Sequence, residues 1–223
     1  MSPNFQPQLF PLFATPFATM QVPQSDVLNR DLTQFFLELK AQGAKHENPN
    51  MYNLRQDALF ESNFDLFSYD HPAVQHLRKL MLGAVGWMIQ QTNGYSAEQM
   101  AAIKIYADAW FHITEQGGYF LTHNHPMASW SAVYCVAPGE DVPGKPDSGL
   151  LRFHDPRPHC NSYLDAGNAQ LQDPYSSQHH SFKLTAGQIV LFPSYLQHEV
   201  APFFGSDRRI TVAVNCWTDR YGS

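Results

Sequence analysis

The feature that most constrains the fold is a series of short, β-prone segments in the second half of the chain. They lie at residues 103–113, 119–125, 129–136, 149–154, 182–184, 188–192, 199–201 and 208–217. Glycine, proline and aspartate turns separate them, a pattern typical of an antiparallel sandwich or barrel. The strands are amphipathic or wholly apolar, so the chain has to stack them around a shared core. We therefore expect a mainly β protein.

The N-terminal half predicts helical additions to this core. Residues 8–22 are rich in phenylalanine and broken by prolines, which favours one or two edge strands. Ser25 caps a first amphipathic helix that ends at Gly43, and a second helix carries Pro72 in its first turn and ends at Gly94. Both helices need an apolar surface to cover, and a sheet provides one.

Length and composition indicate one domain with two parts. The chain has 223 residues, of which 43% are hydrophobic and 15% charged, enough for one sizeable core. We expect N-terminal strands and supporting helices in residues 1–102 and the β core in residues 103–223. Residues 156–178 are irregular and polar, so they predict a long loop that is a candidate lid.

Charge and cysteine content limit the partners and the compartment. The net charge is −6 and no lysine or arginine cluster is present, which argues against a nucleic acid partner. Cys135, Cys160 and Cys216 lie far apart, and an odd, sparse count suits a reducing compartment. The N-terminus lacks the features of a signal peptide, and no apolar run reaches the length of a membrane span. These features predict a cytoplasmic protein without a membrane partner.

The pattern Thr122-His123-Asn124-His125-Pro126 is the first candidate site. Side chains alternate along a strand, so His123 and His125 point the same way, about 7 Å apart. Pro126 ends the ladder of hydrogen bonds and lets the chain bend, so both rings can converge on one metal ion. Read alone, the pair is more typical of two surface histidines near a turn.

Downstream residues change that interpretation. The pair is followed by Gly-Leu-Leu-Arg-Phe-His-Asp155-Pro, then by a strand leading to His198, and then by Arg208-Arg209-Ile-Thr211. This order and spacing resemble the 2-oxoglutarate/Fe(II)-dependent oxygenases, most of all the prolyl-hydroxylase-like branch and its bacterial members with a Trp-Phe…His-x-His-Pro pattern. The resemblance covers roughly residues 107–217. It implies a double-stranded β-helix (jelly-roll) core supported by N-terminal helices, with Fe(II) and 2-oxoglutarate as cofactors.

The resemblance also implies a metal site, with one departure. It assigns His123 and His198 as the imidazole ligands of ferrous iron. The family's second ligand is an aspartate or glutamate two residues after the first histidine, and this chain has His125 there. Either His125 binds, giving a three-histidine site, or Asp155 supplies the missing oxygen. Strand spacing favours His125, and three neutral imidazoles should strengthen the hold on an anionic 2-oxo acid.

The far carboxylate of 2-oxoglutarate needs a planar donor, which Arg208 or Arg209 can supply. Counting by two from Arg209 gives Thr211, Ala213 and Asn215, small or polar residues suited to a cavity. Counting by two from Arg208 gives Ile210, Val212 and Val214, a face suited to lie under the helices. We therefore predict Arg209 as the cosubstrate clamp, with Thr211 and Asn215 beside it.

Further pocket residues are predicted from position alone. Tyr134 or Cys135, on the strand after the histidines, can line the cosubstrate pocket, and parity with Ser131 favours Cys135. Trp130 is a pocket-wall candidate for the substrate. Asp155 and Arg157 follow a strand near the mouth of the barrel, so Arg157 can meet an acidic part of the substrate. A core tryptophan and a structural turn are the simpler interpretations.

The functional hypothesis is a hydroxylase that consumes 2-oxoglutarate and releases succinate and CO2. Its substrate is expected to be a small molecule or a peptide, and a homodimer is compatible with the sequence. An alternative is a cupin-like three-histidine protein, acting as an isomerase or cofactor-free dioxygenase, which has no use for Arg209. A non-catalytic metal-binding protein is a third hypothesis, motivated by the missing carboxylate.

Overall fold

The computed structural model describes residues 6–49 and 58–219. Within these residues the α-helices are α1 (Asp26–Ala41), α2 (Pro72–Asn93) and α3 (Ala97–Ala102). The strands are β1 (Ala18–Gln21), β2 (Leu59–Glu61), β3 (Ile105–Thr114), β4 (Phe120–His123), β5 (Trp130–Ala137), β6 (Leu151–Phe153), β7 (His180–Phe182), β8 (Gln188–Pro193), β9 (His198–Val200) and β10 (Arg209–Thr218). Two short 3-10 turns at Gly43–His46 and Leu66–Ser68 flank β2.

The strands form two antiparallel sheets, which makes the core a double-stranded β-helix, as the sequence predicted. The larger sheet has the order β1-β8-β5-β10-β3-β2, and the smaller has the order β4-β9-β6-β7. Strand β10 lies near the centre of the larger sheet and pairs along its length with β3 on one side and β5 on the other. Its side chains therefore occupy the middle of both faces of that sheet.

The helices cover the outer face of the larger sheet. Leu32 and Phe36 of α1 and Leu77 and Met81 of α2 are wholly buried in one apolar layer. The sheet contributes Phe111 among others, whose ring stacks on Phe36 with centroids 4.1 Å apart. The predicted amphipathic helices and the surface that they cover are thus confirmed. Gly94 ends α2 in the left-handed conformation, as expected of a C-terminal glycine.

A second apolar layer fills part of the space between the two sheets. Phe153 of β6 packs against Phe192 of β8, with ring centroids 4.8 Å apart, and Val133 and Cys135 of β5 lie in the same layer. This layer holds the sheets together on the β5, β8, β6 side. The opposite side, between β3 and β4, is left for a cavity.

Several boundaries differ from the predictions. The strand expected at residues 103–113 begins at Ile105, because residues 97–102 form α3, which starts at a capping box made by Ser96 and Gln99. The short strand expected between residues 44 and 69 is β2, and residues 50–57 of that stretch lie outside the described residues. The predicted long loop runs between β6 and β7 without helix or strand.

No helix in the described parts of the chain is long and apolar enough to cross a membrane.

The stacked pair Phe36–Phe111 tests the helix–sheet layer. We expect Phe111→Ala to lower the free energy of unfolding by about 3–5 kcal/mol. The rings of Phe36 and Phe111 are both fully buried, so removing one of them leaves a cavity in the apolar layer. Urea denaturation measures the change. Phe10→Ala is the matched control, since Phe10 is 66% exposed, and it should shift the free energy by less than about 0.5 kcal/mol. Equal losses in the two variants would contradict this account of the core.

Candidate metal centre

Three histidines converge between the two sheets. His123 ends β4 and lies directly opposite His198, the first residue of β9, so their ring centroids are 4.4 Å apart. His125 comes after the end of β4, where its backbone N–H donates to the carbonyl of Ser194 at 2.9 Å. One ligand atom from each of the three rings lies within 4.8 Å of the others. Among the described residues, these three histidines are the group of possible metal ligands that lie close enough together to hold one ion.

Hydrogen bonds to Nδ1 orient all three rings. His123 Nδ1 donates to the carbonyl of Leu121 at 2.6 Å, and His198 Nδ1 donates to the carbonyl of Leu196 at 2.9 Å. His125 Nδ1 lies 2.9 Å from the hydroxyl of Ser131. A ring that donates through Nδ1 keeps the lone pair of Nε2 for a metal, and such outer hydrogen bonds are typical of histidine ligands.

The rings are held in their neutral form. Burial is the main cause that lowers the pKa of His125, to about 3, and the neighbouring His123 lowers it further. Burial lowers the pKa of His123 and of His198 as well, and the other rings of the cluster add to the effect at His198. Neutral imidazole is the form that binds a metal, so binding at neutral pH displaces no proton from these rings.

The same cavity contains a buried arginine. It has a volume of about 490 Å³ and is lined by the three histidines and by alternate residues of β10, namely Arg209, Thr211, Ala213 and Asn215. Arg209 is only 2% exposed, and within the described residues no hydrogen bond or ion pair to its guanidinium is found. An arginine stays charged even though burial lowers its pKa. The cavity therefore has a charged guanidinium without an ion-pair partner at one end, while Glu61 and Asp108 also line its wall.

The alternation of β10 separates the two candidate arginines. Arg208 is exposed and its Nε contacts the carboxylate of Glu115 at 3.4 Å on the surface. Ile210, Val212 and Val214 lie in the apolar layer under the helices. Counting by two thus predicted the faces of this strand correctly, because β10 is regular over the whole segment apart from one register shift between Ile210 and Thr211.

Gly149 makes room for the Arg209 side chain. A Cβ at this position would lie 3.1 Å from Arg209 Cδ and 3.3 Å from a ring carbon of Phe203. Gly149 also has φ +66°, a left-handed conformation that favours glycine. The turn before β6 therefore packs directly on the stem of the arginine and holds it against the cavity.

The cavity has a hydrogen-bonded wall whose members were not among the predicted site residues. Trp110 and His112 of β3 and Glu61 of β2 line the cavity, and His112 Nε2 lies 2.9 Å from Trp110 Nε1 and 3.0 Å from Glu61 Oε2. Parity could have identified Trp110 and His112, since they alternate with Phe111 and Ile113, which face the helices. Nothing in the sequence near Glu61 distinguishes it, because only the pairing of β2 with β3 brings it opposite His112.

Two predicted pocket residues face the wrong way. Tyr134 and Trp130 alternate with Ser131, Val133 and Cys135 on β5, so they lie on the helix side of the sheet. The Tyr134 hydroxyl donates to Asn29 Oδ1 of α1 at 2.5 Å, and Trp130 lines a separate cleft beside α2. The predictions for these two residues are therefore wrong.

Cys135 is turned to the inner side, as parity with Ser131 indicated, but it does not line the cavity. It is fully buried in the apolar layer between the sheets, and burial raises the pKa of its thiol to about 11. Arg209 is close enough to act on this pKa in the opposite direction. Cys135 thus packs behind the cavity wall.

Asp155 and Arg157 lie at a different cavity. Its volume is about 320 Å³, and Phe17, Phe153 and the loop after β6 line it. The Arg157 side chain donates to both oxygens of Asp155, which lowers the pKa of that carboxyl. Asp155 is therefore committed to a turn and is not among the side chains that converge at the metal centre. The alternative in which Asp155 completes the metal site is therefore wrong, whereas the substrate roles of Asp155 and Arg157 stay predictions that concern this second cavity.

Comparisons with known proteins agree with this architecture. Residues 108–215, from β3 to β10, match a family model described as "Putative 2OG-Fe(II) oxygenase". No curated protein matches the chain in sequence.

Solved structures share the fold. A Pseudomonas putida prolyl-4-hydroxylase is 16% identical with a TM-score of 0.58, covering 93% of this chain and 94% of that one. A Trichoplax adhaerens prolyl hydroxylase, solved with a hypoxia inducible factor peptide, is 14% identical with a TM-score of 0.58, covering 90% and 83%. HygX from Streptomyces hygroscopicus, solved with nickel and 2-oxoglutarate, is 10% identical with a TM-score of 0.55, covering 91% and 83%.

Over residues 108–215, just under half of its length, the chain matches the 2OG-Fe(II) oxygenase family, which is the resemblance that the sequence predicted. It is therefore an oxidoreductase whose cofactors are Fe(II) and 2-oxoglutarate, as the sequence predicted.

Tyr134 tests the corrected placement of β5. We expect Tyr134→Phe to lower the free energy of unfolding by about 1–2 kcal/mol, because the buried Asn29 oxygen loses its donor. Binding of 2-oxoglutarate should be unchanged, since the hydroxyl lies on the helix side of the sheet. Urea denaturation and calorimetric titration with 2-oxoglutarate measure the two quantities. If the variant loses cosubstrate binding while its stability is unchanged, Tyr134 lines the cavity and its placement on the helix side of the sheet is wrong.

Proposed function

We propose that this oxygenase is a hydroxylase in which His123, His125 and His198 hold the iron and Arg209 binds the far carboxylate of 2-oxoglutarate. The observation that carries the proposal is the buried guanidinium of Arg209, which makes no ion pair with a described residue, in the same cavity as three converging imidazoles. Burying a charge without a partner costs several kcal/mol. The cost is removed when an anion enters the cavity.

The donor set suits ferrous iron. Imidazole nitrogen is a good ligand for iron, and three rings on one side leave further positions for other ligands. When bound, iron and 2-oxoglutarate supply the oxidising chemistry, while the protein positions the reactants and excludes water. Because all three imidazoles are neutral, the metal keeps its full double charge, which should strengthen its hold on a 2-oxo acid.

The position of Arg209 suits a dicarboxylate. Ser131, which contacts His125, lies opposite Asn215 in the sheet. Asn215 is six residues along β10 from Arg209, about 20 Å of strand. The long side chain of Arg209 and the histidine rings near Asn215 shorten the gap between the guanidinium and the metal centre. Thr211 lies between the two ends and places a second hydrogen-bonding group beside the guanidinium. A planar guanidinium binds a carboxylate through two parallel hydrogen bonds, which orients the ligand as well as attracting it.

The remaining assignments follow from coarser features. We propose that residues 1–102 support the core, residues 103–223, within a single domain. The substrate is a small molecule or a peptide and not a nucleic acid, which the net charge of −6 supports. Three free cysteines suit a cytoplasmic location, and a homodimer is compatible with the fold.

Replacing Arg209 separates the cosubstrate site from the metal site. We expect Arg209→Met to raise the KM for 2-oxoglutarate by about 10–100-fold, since hydrogen bonds to a charged group contribute about 1.5–3 kcal/mol. Metal affinity should change by no more than a few-fold. Succinate formation and a metal titration measure the two effects.

Arg208→Met is the matched control for this substitution. The control removes the neighbouring arginine at the surface, and it should leave the KM unchanged. Undiminished succinate formation in Arg209→Met would overturn the assignment.

A spectroscopic experiment tests the class of function. Adding 2-oxoglutarate to the anaerobic Fe(II) protein should produce a visible charge-transfer band, because a 2-oxo acid chelates the metal through two oxygens. Arg209→Met should need a higher 2-oxoglutarate concentration to give the same band. A cupin-like three-histidine protein would bind iron without the band, and a non-catalytic protein with a degenerate site would bind no metal tightly.

A further inference from the structure

We propose that Ser131, held by Asn215, is a positioning residue that makes His125 a metal ligand in the place where the family has a carboxylate. The inference rests on the proposed function, because it concerns the same iron site. It assigns a role to two polar side chains that lie next to the three-histidine cluster. It also accounts for the departure of this chain from the family pattern.

The hydroxyl of Ser131 is the centre of a small polar network. It lies 2.9 Å from His125 Nδ1, 2.8 Å from Ser194 Oγ and 2.8 Å from Asn215 Oδ1, to which it donates. Ser131 and Ser194 are fully buried, and His125 is nearly so. Water therefore has little access to these three side chains, which have to satisfy their hydrogen bonds within the network, while Asn215 is half-buried at the cavity wall.

Counting protons determines the direction of each bond. A hydroxyl has one proton, and that of Ser131 is directed to the Asn215 oxygen, which can only accept. Towards His125 the hydroxyl is therefore an acceptor, so the proton of the neutral ring is on Nδ1. The lone pair is then on Nε2, the nitrogen that is available to the metal.

His125 needs this arrangement more than the other two rings do. His123 and His198 donate to backbone carbonyls, which can accept but never donate, so their proton is on Nδ1 whatever the side chains nearby. A serine hydroxyl can donate or accept, and with Asn215 absent it could donate to Nδ1. That would move the ring proton to Nε2 and block the metal. Asn215 decides between the two states.

The backbone holds the network in place. Ser131 pairs with Asn215 of β10 and with Phe192 of β8, so it lies in the interior of the larger sheet. The N–H of His125 donates to the carbonyl of Ser194, and the N–H of Ser194 donates to the carbonyl of Ser129 at 3.1 Å. Backbone hydrogen bonds through Ser194 thus connect the loop that carries His125 to the start of β5, the strand that carries Ser131.

The network also selects imidazole over carboxylate at position 125. A carboxylate can only accept hydrogen bonds, whereas the Ser131 hydroxyl already directs its proton to Asn215. The side chain at position 125 therefore has to donate a hydrogen bond to the Ser131 hydroxyl and also offer a lone pair to the metal. A neutral imidazole does both, through Nδ1–H and Nε2. His125, Ser131 and Asn215 therefore act as one unit.

Metal titration of matched variants tests the proposal. The probe is Co(II), followed by its visible absorption, with anaerobic Fe(II) as a second metal. Removing a hydrogen-bond partner of a histidine ligand weakens metal binding by about 10–100-fold, so Ser131→Ala should do so. Asn215→Leu should weaken binding similarly although Ser131 remains, whereas Asn215→Asp keeps the acceptor and should bind within a few-fold of the wild type. Ser25→Ala, which removes a buried serine on the helix side, is the control.

The ring tautomer provides a readout that does not need the metal. Long-range 1H–15N spectra of the metal-free protein should show His125 protonated on Nδ1 in the wild type and in Asn215→Asp. In Asn215→Leu the proton should move to Nε2. A purely structural role would lower stability in every variant and leave the tautomer unchanged, and that result would overturn the inference.

The outcomes separate the inference from the function on which it rests. Failure of the wild type to bind Co(II) or Fe(II) would overturn the proposed function, whatever the tautomer. Tight binding by the wild type together with equal binding by Ser131→Ala and Asn215→Leu would overturn only the inference. If Ser131→Ala does not fold, the comparison of Asn215→Leu with Asn215→Asp still decides the question.

Discussion

The long pairing of β10 with β3 and β5 is the constraint on which the rest of the structure depends. A strand in the middle of a sheet presents alternate residues to its two faces. On β10 one set faces the helices and forms the layer that stabilises the fold, and the other set lines the cavity. A shift of one residue would exchange Arg209 for Ile210 in the cavity and expose the helix layer to polar groups. Stability and function are therefore coupled through one register.

Electrostatics gives the cavity its preference for an anion. Arg209 is buried and makes no ion pair with a described residue, and three neutral imidazoles lie farther along the same cavity. A divalent metal would add positive charge where the family normally has a carboxylate to reduce it. The cavity would then hold positive charge at both ends, which suits a dicarboxylate whose two ends are both bound. The two wall residues Glu61 and His112 contribute a polar side near the histidines.

The substitution of His125 for a carboxylate is accommodated by the surrounding hydrogen bonds. Two of the histidines are oriented by the protein backbone, and the third is oriented by a serine and an asparagine from neighbouring strands. Side-chain partners can be replaced by evolution, whereas backbone carbonyls are always present. A site that depends on side chains for one ligand can therefore be altered there without disturbing the other two.

The sequence by itself determined the class of fold, the two helices and the faces of β10, because each depends on a local periodicity of the chain. It also singled out His123, His198 and Arg209, whose order and spacing resemble those of a known family and which line one cavity in the structure. It did not determine which residues of β5 reach the cavity, as the errors at Trp130 and Tyr134 show, because a strand buried on both faces has no polar alternation. Glu61 and the Ser131–Asn215 pair were decided only by the tertiary structure. Strands distant in the sequence have to pair before these side chains meet, and no local pattern records that pairing.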